Sequence, residues 1–434
     1  MHQSDHPSAL RAWLLVAILV CAYAISFVDR QILSLLVEDL RRDLAISDAQ
    51  IGLLQGPAFG IFYAVMGMPF GWLADRANRM RLIAAGLSLW TLATMMGGLA
   101  DNFSLLFLSR MLVGVGEAAL VPAAVSLLAD SFPPQRRALP LAIFTGGVSL
   151  GAGLALLLGG ALVALAKDGV ETVPLIGAWL ATRQAWQAVL IMAGLAGIPL
   201  ALLIACLPEP ARRQHGEGTP SFGLGSLLRR EWRLFVPLLA GSALLYLFSN
   251  ALAGWMPSLF VREFGWQPAM VGMRMGSIIL TCALAGNIVS GLWATRLVAR
   301  GRPHGSLLVM AGGAALMAPV AILAPLAPDA LLVQGGLALV YFAMSLCFGV
   351  ATASFVAVTP GPIRGRMVAL YLLTGNLVGL GFGPPSVALV LDGIVGDASR
   401  VGTAIAIVAA CSALPGALLL RLALTPHARL ARGN

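Results

Sequence analysis

Gly71-Trp72-Leu73-Ala74-Asp75-Arg76-Ala77-Asn78-Arg79-Met80-Arg81 sets one acid and three arginines between two long apolar runs, 49–74 and 80–100. Each run is near the ~20 residues that a helix needs to cross a hydrocarbon core. A short, charged bridge between two such runs is a turn at a membrane surface. The rest of the chain is read outward from it.

The same alternation fills the sequence. Apolar runs occur at 12–38, 49–74, 80–100, 103–131, 137–166, 185–207, 232–260, 268–297, 305–326, 330–358, 365–391 and 400–424. Of the 434 residues, 59% are hydrophobic and 11% charged, against about 25% charged in soluble domains. The runs are continuous rather than alternating, so helices fit and a barrel does not. The expected fold is an all-α membrane protein of twelve transmembrane helices. The first run, Ala12 to Phe27, lacks a signal-peptidase pattern and reads as a retained span. The stretch 167–184 is apolar in part but too short to cross, and reads as an external interfacial loop.

Charge gives the orientation. With the N-terminus inside, 19 lysines and arginines fall in inside segments and 7 in outside segments. Both termini are therefore expected in the cytoplasm, with the protein in a cell inner (plasma) membrane. The formal net charge of +9 is spread over short loops, which argues against nucleic acid as a partner. The expected partners are the bilayer and a small-molecule or lipid substrate, and the expected state is a monomer. Cys21, Cys206, Cys282, Cys347 and Cys411 all fall in apolar runs and read as packing residues. The histidines lie in termini and loops, and no acidic cluster has metal-ligand spacing. No cofactor or metal is expected, and a proton gradient is the expected driving force.

The only long polar linker is 208–231. It divides the chain into six-helix halves, 1–207 and 232–434. Shifted by 220 positions, Arg42 falls on Arg262, Asp43 on Glu263, Gly52 on Gly272, Gly56 on Gly276, Gly71 on Gly291 and Arg76 on Arg296. Shifted by 228, Pro134 falls on Pro362, Arg136 on Arg364, Gly147 on Gly375, Gly151 on Gly379 and Gly153 on Gly381. Such repeats mark secondary transporters, which hold substrate near the midplane.

Four charges stand inside apolar runs: Asp29 and Arg30 in span one, Arg110 and Glu117 in span four. A charge at the bilayer centre costs at least ~2.5–3.5 kcal/mol on insertion scales, so such residues usually face a cavity and act. Arg110 and Glu117 are two turns apart on one helix face, roughly 10 Å along the axis. Gly114 and Gly116 are expected to leave room there. The reading is a buried network in which Asp29 and Glu117 carry the proton and Arg30 and Arg110 bind an anionic substrate. A static ion pair joining spans one and four is the plainer alternative. The offsets carry these four positions onto Ser249, Asn250, Ala338 and Ser345, so the second half is expected to supply an uncharged wall. Candidates are Tyr246, Asn250, Trp255, Tyr371, Thr374 and Asn376.

The segment Gly71 to Arg81 resembles the signature loop of the major facilitator superfamily, G-x-L-a-D-r-x-G-r-[rk]-x. Asn78 stands where that pattern has glycine, and asparagine tolerates left-handed backbone angles, so the turn is expected to survive. Gly71, Asp75, Arg76, Arg79 and Arg81, with Arg136 in the next inner loop, are read as a gating loop. There Asp75 can pair with basic residues or a helix N-terminus of the opposing half; plain positive-inside anchoring is the alternative. The second half has Thr295 in place of the acid. Asp29-Arg30, the loop, Arg110-x-x-x-Gly114-Val115-Gly116-Glu117-Ala118 and Phe132 to Arg137 together resemble the spinster-type branch, most densely over residues 20–160.

That resemblance implies a proton-linked carrier for amphipathic anionic lipids, such as lysophospholipids or sphingosine phosphates, working by rocker-switch alternating access. It places the lipid tail against spans two, five, seven, eight, ten and eleven. It carries the coupling and substrate roles onto Asp29, Arg30, Arg110 and Glu117. Drug:proton antiporters have Gly-Pro in span five, where this chain has Gly151-Ala152. Gly383-Pro384-Pro385 in span eleven is expected to kink or unwind its helix. A symporter for small organic anions or sugar acids would use the same arginines. A membrane-embedded enzyme would need a nucleophile, metal cluster or phosphate loop, and none is found, so the chain is not expected to be an enzyme. A non-transporting sensor on a carrier fold is the remaining alternative.

Overall fold

The computed structural model describes residues 8–133, 136–210, 212 and 223–433. Much of the linker, with Arg213, His215, Gly216, Gly218 and Pro220, therefore lies outside the described residues, as do His2, His6 and Pro134. Among the described residues there is no strand. Twelve helices among the described residues are long and apolar enough to cross a membrane: Ala9–Leu35, Asp48–Ala74, Arg79–Gly98, Phe103–Ser131, Gly151–Asp168, Ala185–Cys206, Trp232–Phe264, Pro268–Ala299, Gly305–Leu326, Ala330–Ala357, Arg364–Val395 and Val401–Ala431. These are spans one to twelve. The fifth belongs to a longer helix, Ala138–Asp168.

The starts of several spans are written in short polar residues. Ser47 and Gln50 form a capping box before span two. Asn102 accepts from the Leu105 amide before span four, and Asp329 from the Leu331 amide before span ten. Each satisfies donors that a helix start leaves open. Asn78 does the same for span three, accepting from the Arg81 amide at 2.8 Å. Its backbone is extended (φ −66°, ψ 115°), so the expected left-handed turn does not form. The asparagine is there as a cap.

The chain clusters in two units, Met1–His215 with Gln267–Ser277, and Gly216–Trp266 with Ile278–Asn434. Within each unit the repeat shows in matching contacts. Asp43 accepts from the indole of Trp186, the second residue of span six. Glu263 accepts from the amide of Gly402, the second residue of span twelve. Arg137 donates through Nε to the Phe132 carbonyl at 2.8 Å, and Arg364 through Nε to the Thr359 carbonyl at 3.0 Å. That second pair matches Arg137, not Arg136, with Arg364. The structural register there differs by one residue from the shift of 228, which had set Arg136 on Arg364.

Two spans are interrupted where the sequence reading did not expect it. Span four breaks between Phe103–Glu117 and Leu120–Ser131, where Pro122 removes the amide that would bind the Ala118 carbonyl. Span two bends at Gly56 (φ −105°, ψ −95°). Span eleven, by contrast, runs as α-helix through Pro384 and Pro385. The carbonyls that the two prolines leave open are those of Leu380 and Gly381; beside them, Ser386 Oγ donates to the Gly383 carbonyl at 2.6 Å and Trp255 Nε1 to the Pro384 carbonyl at 2.9 Å. The irregular turn, a π-helical one, comes later, at Leu391–Val395.

Candidate functional site

The four charges of spans one and four meet in the first unit. Arg30 places Nε and Nη2 each 2.6 Å from Glu117 Oε2. The Glu117 side chain is fully enclosed, and it stands where span four breaks. Arg110 Nη1 donates to the backbone carbonyl of Asp29 at 3.1 Å, and its Nε makes no hydrogen bond among the described residues. Both carboxyl oxygens of Asp29 are enclosed and make no hydrogen bond there. The neighbouring Thr94 hydroxyl is engaged with the Trp90 carbonyl at 3.0 Å. Two cations and two acids thus make one side-chain ion pair.

Aromatic rings that the sequence reading missed complete the site. The Arg30 guanidinium lies 4.7 Å from the Phe59 ring centre, 4.8 Å from Tyr63 and 5.2 Å from Phe27. Arg110 lies 5.6 Å from Phe59. Such contacts stabilise a cation held away from water. Phe59 arrives because Gly114 lets span two in: a Cβ there would lie 2.5 Å from the Phe59 carbonyl oxygen. On Gly116 a Cβ would lie 2.7 Å from the Gly86 carbonyl oxygen of span three. The room expected beside these glycines is therefore filled by the backbones of spans two and three. One turn before Phe59, both amide atoms of Gln55 are enclosed without a hydrogen bond among the described residues. Spacing of aromatics four apart, at Phe59 and Tyr63, was the signal available for the collar.

The uncharged candidates gather in the second unit. Tyr246 packs on Phe348 with ring centres 4.7 Å apart and on Tyr371 at 6.2 Å. Asn250 donates to the Tyr246 carbonyl at 2.9 Å. Tyr246 lies against Gly375, and both it and Asn250 lie against Gly379, so span seven packs directly on span eleven. Tyr371 is buried, and Asn376 is half-buried on the same helix. Thr374 turns its hydroxyl to the Leu370 and Tyr371 carbonyls. Trp255 is fully buried and packs against span eleven, so it is not part of a surface wall.

The gating loop separates into an exposed and a buried part. Asp75, Arg76, Arg81 and Arg136 are exposed, and Gly71 has nothing within 4 Å of where a Cβ would stand. Arg76 stacks 4.2 Å from the Trp72 ring. Among the described residues the Asp75 carboxylate makes no ion pair; its backbone carbonyl accepts from Arg212, as do those of Ala74 and Ala77. Arg79 is the buried member. It pairs with Asp130 at 2.5 Å and Glu209 at 2.7 Å, and donates to Ser126 Oγ and the Pro210 carbonyl. Thr295, opposite in the repeat, bonds back to Gly291 within its own helix.

The Major Facilitator Superfamily matches residues 19–384. An "MFS-type efflux pump" of Mycolicibacterium smegmatis is 30% identical over 433 residues, 98% of this chain and 96% of that protein. "Protein spinster" of Drosophila melanogaster is 26% identical over 88% of this chain, which spans 62% of that relative's length. A "probable galactarate/D-glucarate transporter" of Bacillus subtilis is 26% identical over 67% of this chain and 66% of that protein. The crystal structure of a bacterial homolog to the human lysosomal transporter Spinster, inward-facing and unoccupied, superposes with a TM-score of 0.81. It shares 24% identity and covers 98% of both chains.

Proposed function

The chain belongs to the Major Facilitator Superfamily, and on that premise we propose that it is a proton-coupled secondary transporter moving an amphipathic anionic lipid by rocker-switch alternating access. Its setting is the cell inner membrane, with both termini cytoplasmic. The observation that carries the reading is the pairing pattern in the first unit: Arg30 is held by Glu117, while among the described residues the Asp29 carboxylate makes no hydrogen bond and Arg110 meets a backbone carbonyl rather than a carboxylate.

A buried carboxylate without donors is costly, so taking up a proton is its cheapest release. Arg110 keeps donors for an anionic head group. A proton on Asp29 or Glu117 adds one positive charge to the cluster and favours that anion. By reciprocity, the bound anion favours the proton equally. Protonation of Glu117 also loosens Arg30 and shifts the balance of conformations. The rings around Arg30 suit a substrate with a charged head and an apolar body.

Proteoliposomes under an imposed pH gradient test this. Lysophospholipid transport should follow the gradient, and Asp29→Asn should abolish that dependence. Gradient-independent transport, or an unchanged Asp29→Asn profile, would overturn proton coupling through Asp29. The second reading, a proton symporter for small organic anions or sugar acids, is favoured by the galactarate/D-glucarate relative. Thermal shifts with lysophospholipids and glucarate side by side decide between the two: stabilisation by glucarate alone would replace the lipid reading.

A further inference from the structure

The loop 169–184 between spans five and six is the most unusual exposed surface of the first unit. Leu175 is fully exposed, at 105%, and holds a left-handed backbone (φ 68°). That conformation is strained for a branched residue, and observed strain of this kind points to a role. Trp179 is exposed beside it.

The loop is also compact. Its amides bond inward, Val173 to Val170, Gly177 to Val173, and Leu180 to Ile176. The hydroxyls of Thr172 and Thr182 bond to the Gly169 and Trp179 carbonyls. Gly177 allows the fold-back: a Cβ there would lie 2.5 Å from the Glu171 carbonyl oxygen. Irregular chain that faces lipid stays out of the hydrocarbon core, so a loop of this kind belongs at the membrane interface.

The loop's position fits that environment. Val173 and Pro174 line an open groove of about 460 Å³ with Leu165 of span five and Met192, Leu195 and Ala196 of span six. Those span-six residues stand seven to eleven positions past Ala185, about 10–16 Å along the helix. The loop therefore folds back over the end turns of spans five and six. Among the described residues Arg183 makes no ion pair; its guanidinium lies 4.8 Å from the Trp179 ring. Lys167, in the last turn of span five, faces Asp39 at 3.8 Å.

We propose that this loop is a docking site for a glycerophospholipid of the surrounding bilayer, with an acyl chain in the groove and the phosphate at Arg183. Leu165 of span five and Ala196 of span six are exposed at the groove. The tryptophan and arginine at the loop's end form the aromatic and basic pair suited to a membrane interface. Leu175 inserts as an anchor.

The test uses the full chain in nanodiscs containing a phosphatidylcholine with a photoactivatable acyl chain, followed by peptide mapping. Adducts should concentrate on residues 169–184 and 192–196. Ala196→Trp, at an exposed position that fills the groove, should lower the loop adducts at least fivefold while leaving those on span ten unchanged. Leu175→Ser should lower them about threefold. Loop adducts that survive both substitutions would overturn the proposal. So would displacement by excess soluble lysophospholipid, since the occupant would then be the transported molecule.

Discussion

Arg30 closes on Glu117 with two nitrogens 2.6 Å from a single carboxylate oxygen. Removing one partner of a buried pair leaves an uncompensated charge, at about 3–5 kcal/mol. Arg30→Ala is therefore expected to lower unfolding stability in detergent by that order. The double variant Arg30→Ala/Glu117→Ala should recover part of the loss, with a coupling of about 1–3 kcal/mol in a double-mutant cycle. Strict additivity of the single losses would mean that the contact carries no energy.

Gly114 and Gly71 should respond in opposite ways to the same change. Gly114→Ala drives a methyl group into the Phe59 carbonyl, separating spans two and four and moving Phe59 off both arginines. A loss of about 1–3 kcal/mol is expected, together with loss of transport. Gly71→Ala meets open space and should stay within about 0.5 kcal/mol. Thermal unfolding of the two variants side by side checks this, and equal losses would refute it.

The contrast shows which features were legible in the sequence. Span limits followed from apolar run length, which a bilayer fixes almost alone. The four charges stood out because each is expensive in a span. Their pairing was not legible: Arg110 and Glu117 share a helix face, yet Glu117 is taken by Arg30, and only the packing of spans one, two and four decides that. The aromatic collar was hidden in an apolar run where Phe59 and Tyr63 look like any lipid-facing ring. In the loop, Asp75 and the arginines formed one charged pattern, and only the tertiary fold separates buried Arg79 from exposed Arg76 and Arg81.

Arg79 gives the third prediction. Its guanidinium serves Asp130, Glu209, Ser126 and the Pro210 carbonyl at once, tying the end of span four to the start of the linker. Arg79→Ala leaves Asp130 without its cation and Glu209 with Arg212 alone, at 3.7 Å, and should cost about 3–5 kcal/mol. Arg79→Lys should rescue little, since an ammonium cannot reproduce the planar fork. Arg81→Ala, at an exposed position, should stay within about 0.5 kcal/mol. Thermal unfolding separates the three, and an Arg81 loss as large as that of Arg79 would show that loop charge, not the buried contacts, matters.

Asp29 should behave unlike its neighbour Glu117. A buried polar group without a hydrogen bond costs about 1–3 kcal/mol by protein mutational data. Asp29→Leu removes that cost at similar size and keeps the backbone carbonyl that Arg110 uses. Arg110 loses a nearby negative charge, which offsets part of the gain. The expected net result is unchanged stability or a gain of up to about 1–3 kcal/mol, with pH-dependent transport abolished. This is the trade expected where a site holds a group for function at the expense of the fold. Unfolding curves and proteoliposome transport on the same preparation decide it. A variant that unfolds more easily than the parent would show that Asp29 supports the fold instead.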